Sequence, residues 1–497
     1  MSKLKSEFTS KTNLEAKFTA FQYQAEAFAA VKDLFYSAIF HEQGLGKTKI
    51  AIDLILYWLG NKGIDTALIV TKKQLINNWQ KEFKNHTFIQ PGILSSDKKK
   101  NYYIFNSPAR IVVTNFETIL TEKNRMSLFL KSRDVAIVID ESAKLKNPDS
   151  AITKAFFELS DLFRIKCIMT GTPVANRPYD IWSQIYFLDK GKSLGTDFDE
   201  FKKSTDLSND LVHDYEARKQ FEKKVSEIYD KISNFSVRET KKTASINLPQ
   251  KSIYNIMCDF EEKQREIYKS IITEMRVEVK KNGQSYYDDD SVALKRLLRL
   301  NEVASNPRLI DERYTPLSGK EKELDGLLDE IVKRNEKCIV WSSYKENVDY
   351  FARKFKLYKP RKIHGSMTIS DRNTSVKKFL EDEECKVLFA TPQAAKEGLT
   401  LTVANNVVFY DRSFSLDDYL QAQDRIHRIS QKKDCNVYNL LINDSIDIWI
   451  DKLLLAKQHA ALLAQGDITI DQYQEDSDYS YGELIKEILE NEEGEYL

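Results

Sequence analysis

The sequence predicts an α/β protein of two doubly wound parallel-sheet lobes with a helical insertion between them. Three observations carry this. Two series of short apolar, β-branched runs alternate with helical spacing, and a charged, strand-poor stretch separates them. In the first series most of the runs are apolar throughout rather than alternating, as parallel strands covered on both faces require.

The first series comprises SAIFH (37–41), ALIVT (67–71), RIVVTN (110–115), VAIVID (135–140) and KCIMTGT (166–172). From about 195 to 310 the chain turns charged and helical. In FEKKVSEIYDKI, Phe221, Val225, Ile228, Tyr229 and Ile232 fall on one helical face. Strand signals are sparse there except near SIYNIMC. The second series is KCIVWSS (337–343), KVLFAT (386–391), NVVFYD (406–411) and CNVYNLL (435–441). The expected divisions are residues 1–240 for the first lobe, 241–460 for the insertion and second lobe, and 461–497 for an acidic tail.

Composition is that of a soluble globular chain, with 42% apolar and 30% charged residues. No apolar run approaches the roughly 20 residues of a membrane span. The basic start lacks the apolar stretch of a secretory signal. Cys167, Cys258, Cys338, Cys385 and Cys435 are scattered and form no C-x-x-C pair, which excludes a ribbon-type zinc site and points to a reducing, cytoplasmic setting. The 75 basic and 75 acidic residues cancel, yet unevenly. Residues 461–497 hold eleven acids and one lysine, a net of −10, so the remainder carries +10. A basic body suits a polyanion partner, and a soluble body with a solvated tail fits the charge alone as well.

HEQGLGKTKIAIDLIL has the order strand, glycine-rich turn, helix. Gly44 and Gly46 allow backbone N–H groups to face a phosphate. Lys47 can reach the outer phosphates of ATP, Thr48 can hold Mg²⁺, and the helix that begins here adds its positive end. His41 stands where a P-loop usually has its first glycine. VAIVIDESAKLKN ends a strand in two carboxylates, Asp140 placed to hold Mg²⁺ and Glu141 to deprotonate water. Gln24 offers the paired donor and acceptor that read adenine, although alone it reads equally as a surface glutamine. In DDYLQAQDRIHRISQ, Arg425 and Arg428 are spaced to share a helix face and, with Gln421, could reach a nucleotide across a cleft as arginine fingers. By spacing alone an exposed, salt-bridged helix is the simpler reading.

Taken together these motifs resemble the Swi/Snf-type ATPases of helicase superfamily two, in order and from about residue 18 to 455. QYQAEA resembles the adenine-reading motif, and HEQGLGKT the family's D-E-M-G-L-G-K-T. LIVTKKQLINNWQKEF matches L-I-V-x-P-x-S-L-x-x-N-W-x-x-E-F with Trp79 and Glu82 in place. VVTNFETI, DESAKLKN, MTGTPVANRPYDIWSQ, HGSMTISDRNTSVKKF, ATPQAAKEGLTLTVAN and QAQDRIHRISQ complete the set, and MTGTPVANRPYDIWSQ is the most specific.

The resemblance implies RecA-like lobes, ATP and Mg²⁺ as cofactors, and a motor that travels along double-stranded DNA through backbone contacts. It implies finger roles for Arg425 and Arg428 with Gln421 at the nucleotide, and coupling of hydrolysis to movement through Thr170, Thr172, Asn176 and Gly398. It also implies DNA contacts from Thr71, Lys72, Asn115 and Asn147 in the first lobe and from Ser342, Gly365 and Thr391 in the second. For each of these seven a turn or strand cap is an equal reading. A-A-K-E-G-L-T is nearer to annealing-helicase and fork-remodelling members than to nucleosome remodellers. Two alternatives stand beside translocation: a helicase that separates or anneals strands, and an ATP-switched protein acting on RNA polymerase or a nuclease.

Three positions depart from the pattern. Ala143 replaces the histidine of D-E-x-H, which in relatives helps couple ATP to the second lobe; Phe414-Ser415-Leu416 replaces W-N-P; and Ser430 replaces a glycine. No chromatin-reading module is visible, which suits a nucleoid-associated bacterial protein or a phage protein in its host's cytoplasm. In the tail, Tyr481, Leu484, Ile485, Ile488 and Leu489 have helical spacing. That helix is expected to cover a lobe, to dock on a protein partner, or to mimic DNA in the basic cleft.

Overall fold

A computed structural model describes residues 12–174, 176–206, 215–244, 248–281, 290–394 and 400–476. It contains two compact units, each built on a parallel sheet. Gly398 and the expected tail helix at 481–489 lie outside the described residues.

The first unit takes in the described residues of 12–206, 215–244 and 459–476. Its strands are β1 (Tyr36–Ile39), β2 (Thr66–Thr71), β3 (Gly92–Ile93), β4 (Ile111–Asn115), β5 (Val135–Asp140), β6 (Ile165–Met169) and β7 (Ser236–Val237). Their order across the sheet is β3-β4-β2-β5-β6-β1-β7, every pairing parallel. The central strands are buried on both faces, which explains their continuous apolar runs. The helix Lys47–Asn61 packs on one face through Ile50, Ala51, Leu54, Ile55, Trp58 and Leu59, all in the core with Ile69, Val113 and Val138.

The second unit comprises the described residues between 248 and 458. Its strands are β8 (Lys251–Cys258), β9 (Cys338–Trp341), β10 (Arg361–Ile363), β11 (Val387–Ala390), β12 (Asn406–Phe409) and β13 (Cys435–Ile442). They run parallel in the order β10-β11-β9-β12-β13-β8, around a core that includes Leu324, Leu328, Val340, Phe351, Phe389 and Tyr410. In the helix Tyr215–Ile232 of the first unit, Val225, Ile228 and Ile232 are buried as the spacing predicts.

Two expected boundaries move. Residues 241–244, expected beyond the first lobe, group with the first unit, because β7 pairs with β1 and the residues after it stay with that sheet. Residues 461–476, expected in the tail, also belong to the first unit. Leu463 and Ala464 are buried, Gly466 lies against the ring of Tyr229, and Asp467 pairs with Arg238. Arg238 also donates to the carbonyl of Phe40, 2.7 Å away, at the start of the phosphate loop. A truncation that probes the tail therefore has to keep Asp467.

Candidate functional site

The order β5-β6-β1 sets three carboxyl edges side by side, where ligands bind in open α/β sheets. From β1 the chain enters the loop 40–46. Gly44 (φ 89°) and Gly46 (φ 69°) are left-handed, a conformation that costs glycine little. Lys47 Nζ donates to the carbonyls of His41 at 2.8 Å and Glu42 at 3.3 Å, curling the loop over the helix N-terminus. Thr48 is half-buried in the first helical turn. His41 is buried, and burial beside Lys47 pulls its imidazole down to about 4.

Gln24 is buried rather than solvated. Its Oε1 accepts the backbone N–H of Phe21 at 3.0 Å, and its Nε2 donates to the carbonyl of Leu45 at 3.1 Å. Tyr23 Oη donates to the same carbonyl at 3.0 Å. Glycine at 46 is favoured by its left-handed backbone, and a Cβ there would lie 2.5 Å from Gln24 Nε2 and displace that amide. Gln24 is thus a brace of the phosphate loop.

At the end of β5, Asp140 Oδ2 accepts from Trp79 Nε1 at 2.8 Å and Thr71 Oγ1 at 3.0 Å. Burial, and then the charge of Glu141, push its carboxyl up to about 6. Asp140 and Thr48 offer the oxygen donors that a divalent cation takes, and a cation beside Asp140 would favour the charged form that burial disfavours. Glu141 is held at φ 60°, an arrangement that costs a non-glycine residue about 1–3 kcal/mol and recurs at working sites. Lys72 Nζ stands 3.8 Å from its Oε2.

From β6 comes the T-G-T loop. Thr170 is buried, and its Oγ1 accepts the N–H of Thr172 at 3.2 Å. A Cβ on Gly171 would meet Gln43 Cγ at 2.4 Å, Gln43 N at 3.1 Å and Lys47 Nζ at 3.3 Å. The T-G-T loop therefore packs directly on the phosphate loop, and Gly171→Ala is expected to lever the phosphate loop out of shape. Misplacement on the ångström scale costs about 10²-fold in rate. ATPase assays at saturating ATP check this; an alanine variant with wild-type kcat and KM would mean that the loop yields freely.

In the second unit, the helix Leu416–Gln423 is capped by Ser415, whose Oγ accepts the N–H of Asp418. Gln421 is buried, with Nε2 donating to Asp417 Oδ1 at 2.6 Å. Arg425 and Arg428 do not share a helix face, because the helix stops at Gln423. Beyond it the chain continues in three-residue turns, Arg425 N–H to the Ala422 carbonyl and Ile426 N–H to the Gln423 carbonyl, and Gln431 Nε2 donates to carbonyls of Thr402, Ala404 and Ile426. Arg425 is buried, and its carbonyl accepts the N–H of Leu401. Arg428 is half-buried, with Nη1 on Thr400 Oγ1 at 2.9 Å.

The seven expected DNA contacts divide. Thr71 is spent on Asp140, Asn115 caps the helix Phe116–Thr121, and Ser342 Oγ donates to the buried Asp411 at 2.5 Å. Thr391 is buried too. For Thr71, Asn115 and Ser342, the cap or internal-bond reading describes the side chain. Lys72, Asn147 and Gly365 retain solvent access. Trp79 and Gln184 were given no role by the sequence, yet both bond to the loops that form the site.

This is a P-loop nucleotide site on a parallel α/β unit, with a second parallel unit that carries an arginine segment. Residues 35–309 match the SNF2-related domain and residues 319–430 the helicase conserved C-terminal domain, and the chain belongs to the SNF2-related family. It is 25% identical to the ISWI chromatin-remodeling complex ATPase ISW1 of Saccharomyces cerevisiae, over 82% of this chain and 36% of that one. It is 26% identical to an uncharacterized ATP-dependent helicase of Mycoplasma genitalium, over 86% of this chain and 40% of that one. It is likewise 26% identical to the ATP-dependent DNA helicase DDM1 of Arabidopsis thaliana, over 84% of this chain and 57% of that one. The chain thus spans well under two thirds of these relatives' length. Among solved structures, the Sulfolobus solfataricus SWI2/SNF2 ATPase core in complex with dsDNA aligns with 94% of this chain and 98% of its own, at 23% identity and TM-score 0.43. No helix among the described residues is long and apolar enough to cross a membrane.

Proposed function

We propose that this chain is an ATP-driven translocase on double-stranded DNA. The observation that carries the reading is the meeting of the phosphate loop, the Asp140-Glu141 edge and the Thr170–Thr172 loop in the first unit of a chain of this family. Lys47 leaves the carbonyls of His41 and Glu42 for the outer phosphates of ATP. Thr48 and Asp140 would hold Mg²⁺, which would supply positive charge to those phosphates. Glu141 takes the proton of the attacking water. Arg425 and Arg428 stabilise the charge that develops on the transferred phosphoryl group, with Gln421 beside them. Gln24 sets the loop's position and, as that loop opens, reads adenine.

DNA binding goes to the backbone, through Lys72, Asn147 and the backbone around Gly365, and carries little sequence information. Affinity is expected to fall steeply with salt, by about 0.9 log units per log of salt for each phosphate neutralised. Lys72→Ala should reduce that slope by about one and weaken all sequences alike. A salt-insensitive or strongly sequence-selective complex would contradict the assignment. ATPase rates with duplex DNA, single-stranded DNA, RNA and no nucleic acid test the reading as a whole. Duplex should stimulate most. The word helicase in several relatives' names supports strand separation as the second reading, and preferential stimulation by single strands would favour it. A rate indifferent to nucleic acid would favour an ATP-switched interaction protein.

A further inference from the structure

Ala143 leaves this chain without the histidine that follows the paired carboxylates in its family's pattern. Within the first unit another side chain joins the loops that matter. Gln184, on the helix Trp182–Asp189, is fully buried. Its Oε1 accepts from Ser142 Oγ at 2.8 Å, one residue beyond Glu141. Its Nε2 donates to the carbonyls of Pro173 at 2.7 Å and Asp180 at 3.0 Å. Pro173 follows Thr172 in the loop whose Gly171 lies on Gln43 and Lys47. The Asp180 carboxylate extends the chain: Oδ2 accepts the N–H groups of Asn176 at 3.0 Å and Arg177 at 3.3 Å, and Lys146 Nζ lies 3.9 Å away. Ser183 Oγ donates to the Lys146 carbonyl, tying the same helix to the loop after Glu141 a second time.

An amide suits this place because it accepts on one side and donates twice on the other. A buried amide with all three partners met resists the movement of any one of them alone, since an unmet group is costly there. A shift of Glu141 and Ser142 is therefore passed to Pro173.

We propose that Gln184 is a positioning residue that links the Asp140-Glu141 edge to the loop from Thr170 to Arg177, so that nucleotide at the first resets the second. The proposal deepens the ATPase reading above and rests on it. The test is hydrogen exchange of the full chain with and without Mg²⁺ and a non-hydrolysable ATP analogue, reading the amides of Asn176 and Arg177. Wild type, Ser142→Ala, Gln184→Met and the double variant are compared, with melting temperature and ATPase activity measured alongside. In wild type the analogue is expected to change exchange at these amides by about tenfold, the scale of one buried hydrogen bond. Both single variants should lose that response, and the double should behave like either single, because the two changes cut one chain. Ser142→Ala removes a single hydroxyl and keeps the test open if Gln184→Met folds poorly. A residue that is only structural would raise exchange equally with and without analogue and leave the response intact; that result overturns the proposal. So does a wild type without a response. If the response behaves as expected but no nucleic acid stimulates hydrolysis, the translocase reading fails and the link through Gln184 stands.

Discussion

Lys47→Ala is expected to remove ATP hydrolysis on the order of 10³-fold, the upper end of what one charge-stabilising donor contributes. Two losses combine. The ammonium that faces the outer phosphates is gone, and so are its bonds to the carbonyls of His41 and Glu42 that close the loop. Binding of a fluorescent ATP analogue should weaken with it. Glu141→Gln separates binding from chemistry. It keeps the shape of a side chain fixed by the left-handed backbone at φ 60°, so nucleotide should still bind. Turnover should fall by about 10²–10⁴, the usual contribution of a general base. Steady-state kinetics beside equilibrium binding check both variants, and a Glu141→Gln chain that hydrolyses ATP at the wild-type rate places the base elsewhere.

The second large effect is expected at the arginines. Arg425→Ala and Arg428→Ala should each lower kcat by about 10³–10⁵ if they serve as fingers, with ATP affinity changed only a few-fold. The reason for the split is that a finger acts on charge that appears in the transition state. Arg425→Lys should recover little, since an ammonium does not reproduce the planar fork of the guanidinium. Single-turnover and steady-state rates at saturating ATP measure this. A raised KM with unchanged kcat would make the arginines ground-state contacts instead.

The long central strands were legible because a strand buried on both faces has to be apolar throughout, as Ala67 to Val70 and Val135 to Ile139 are. β3 and β7 were not, since two residues show no period, and both stand at the sheet's edges. The phosphate loop was readable because Gly44, Gly46, Lys47 and Thr48 are neighbours in the chain. Gly171 on Gln43, Trp79 on Asp140 and Gln184 on Ser142 join residues 40 to 130 positions apart, and no local pattern marks such pairs. Spacing misled at Arg425 and Arg428, where the helix ends at Gln423 and the backbone goes on in three-residue turns. It misled also at 461–476, where counting acids hid the buried Leu463 and Ala464.

Movement along intact duplex should displace a third strand from it. A duplex carries a triplex-forming oligonucleotide some distance from its end, and release of that oligonucleotide is followed after ATP is added. Release is expected to require hydrolysis, to fail with Glu141→Gln or a non-hydrolysable analogue, and to leave the two duplex strands paired. ATP consumed at the duplex-stimulated rate without release, or release accompanied by separation of the duplex strands, would contradict it.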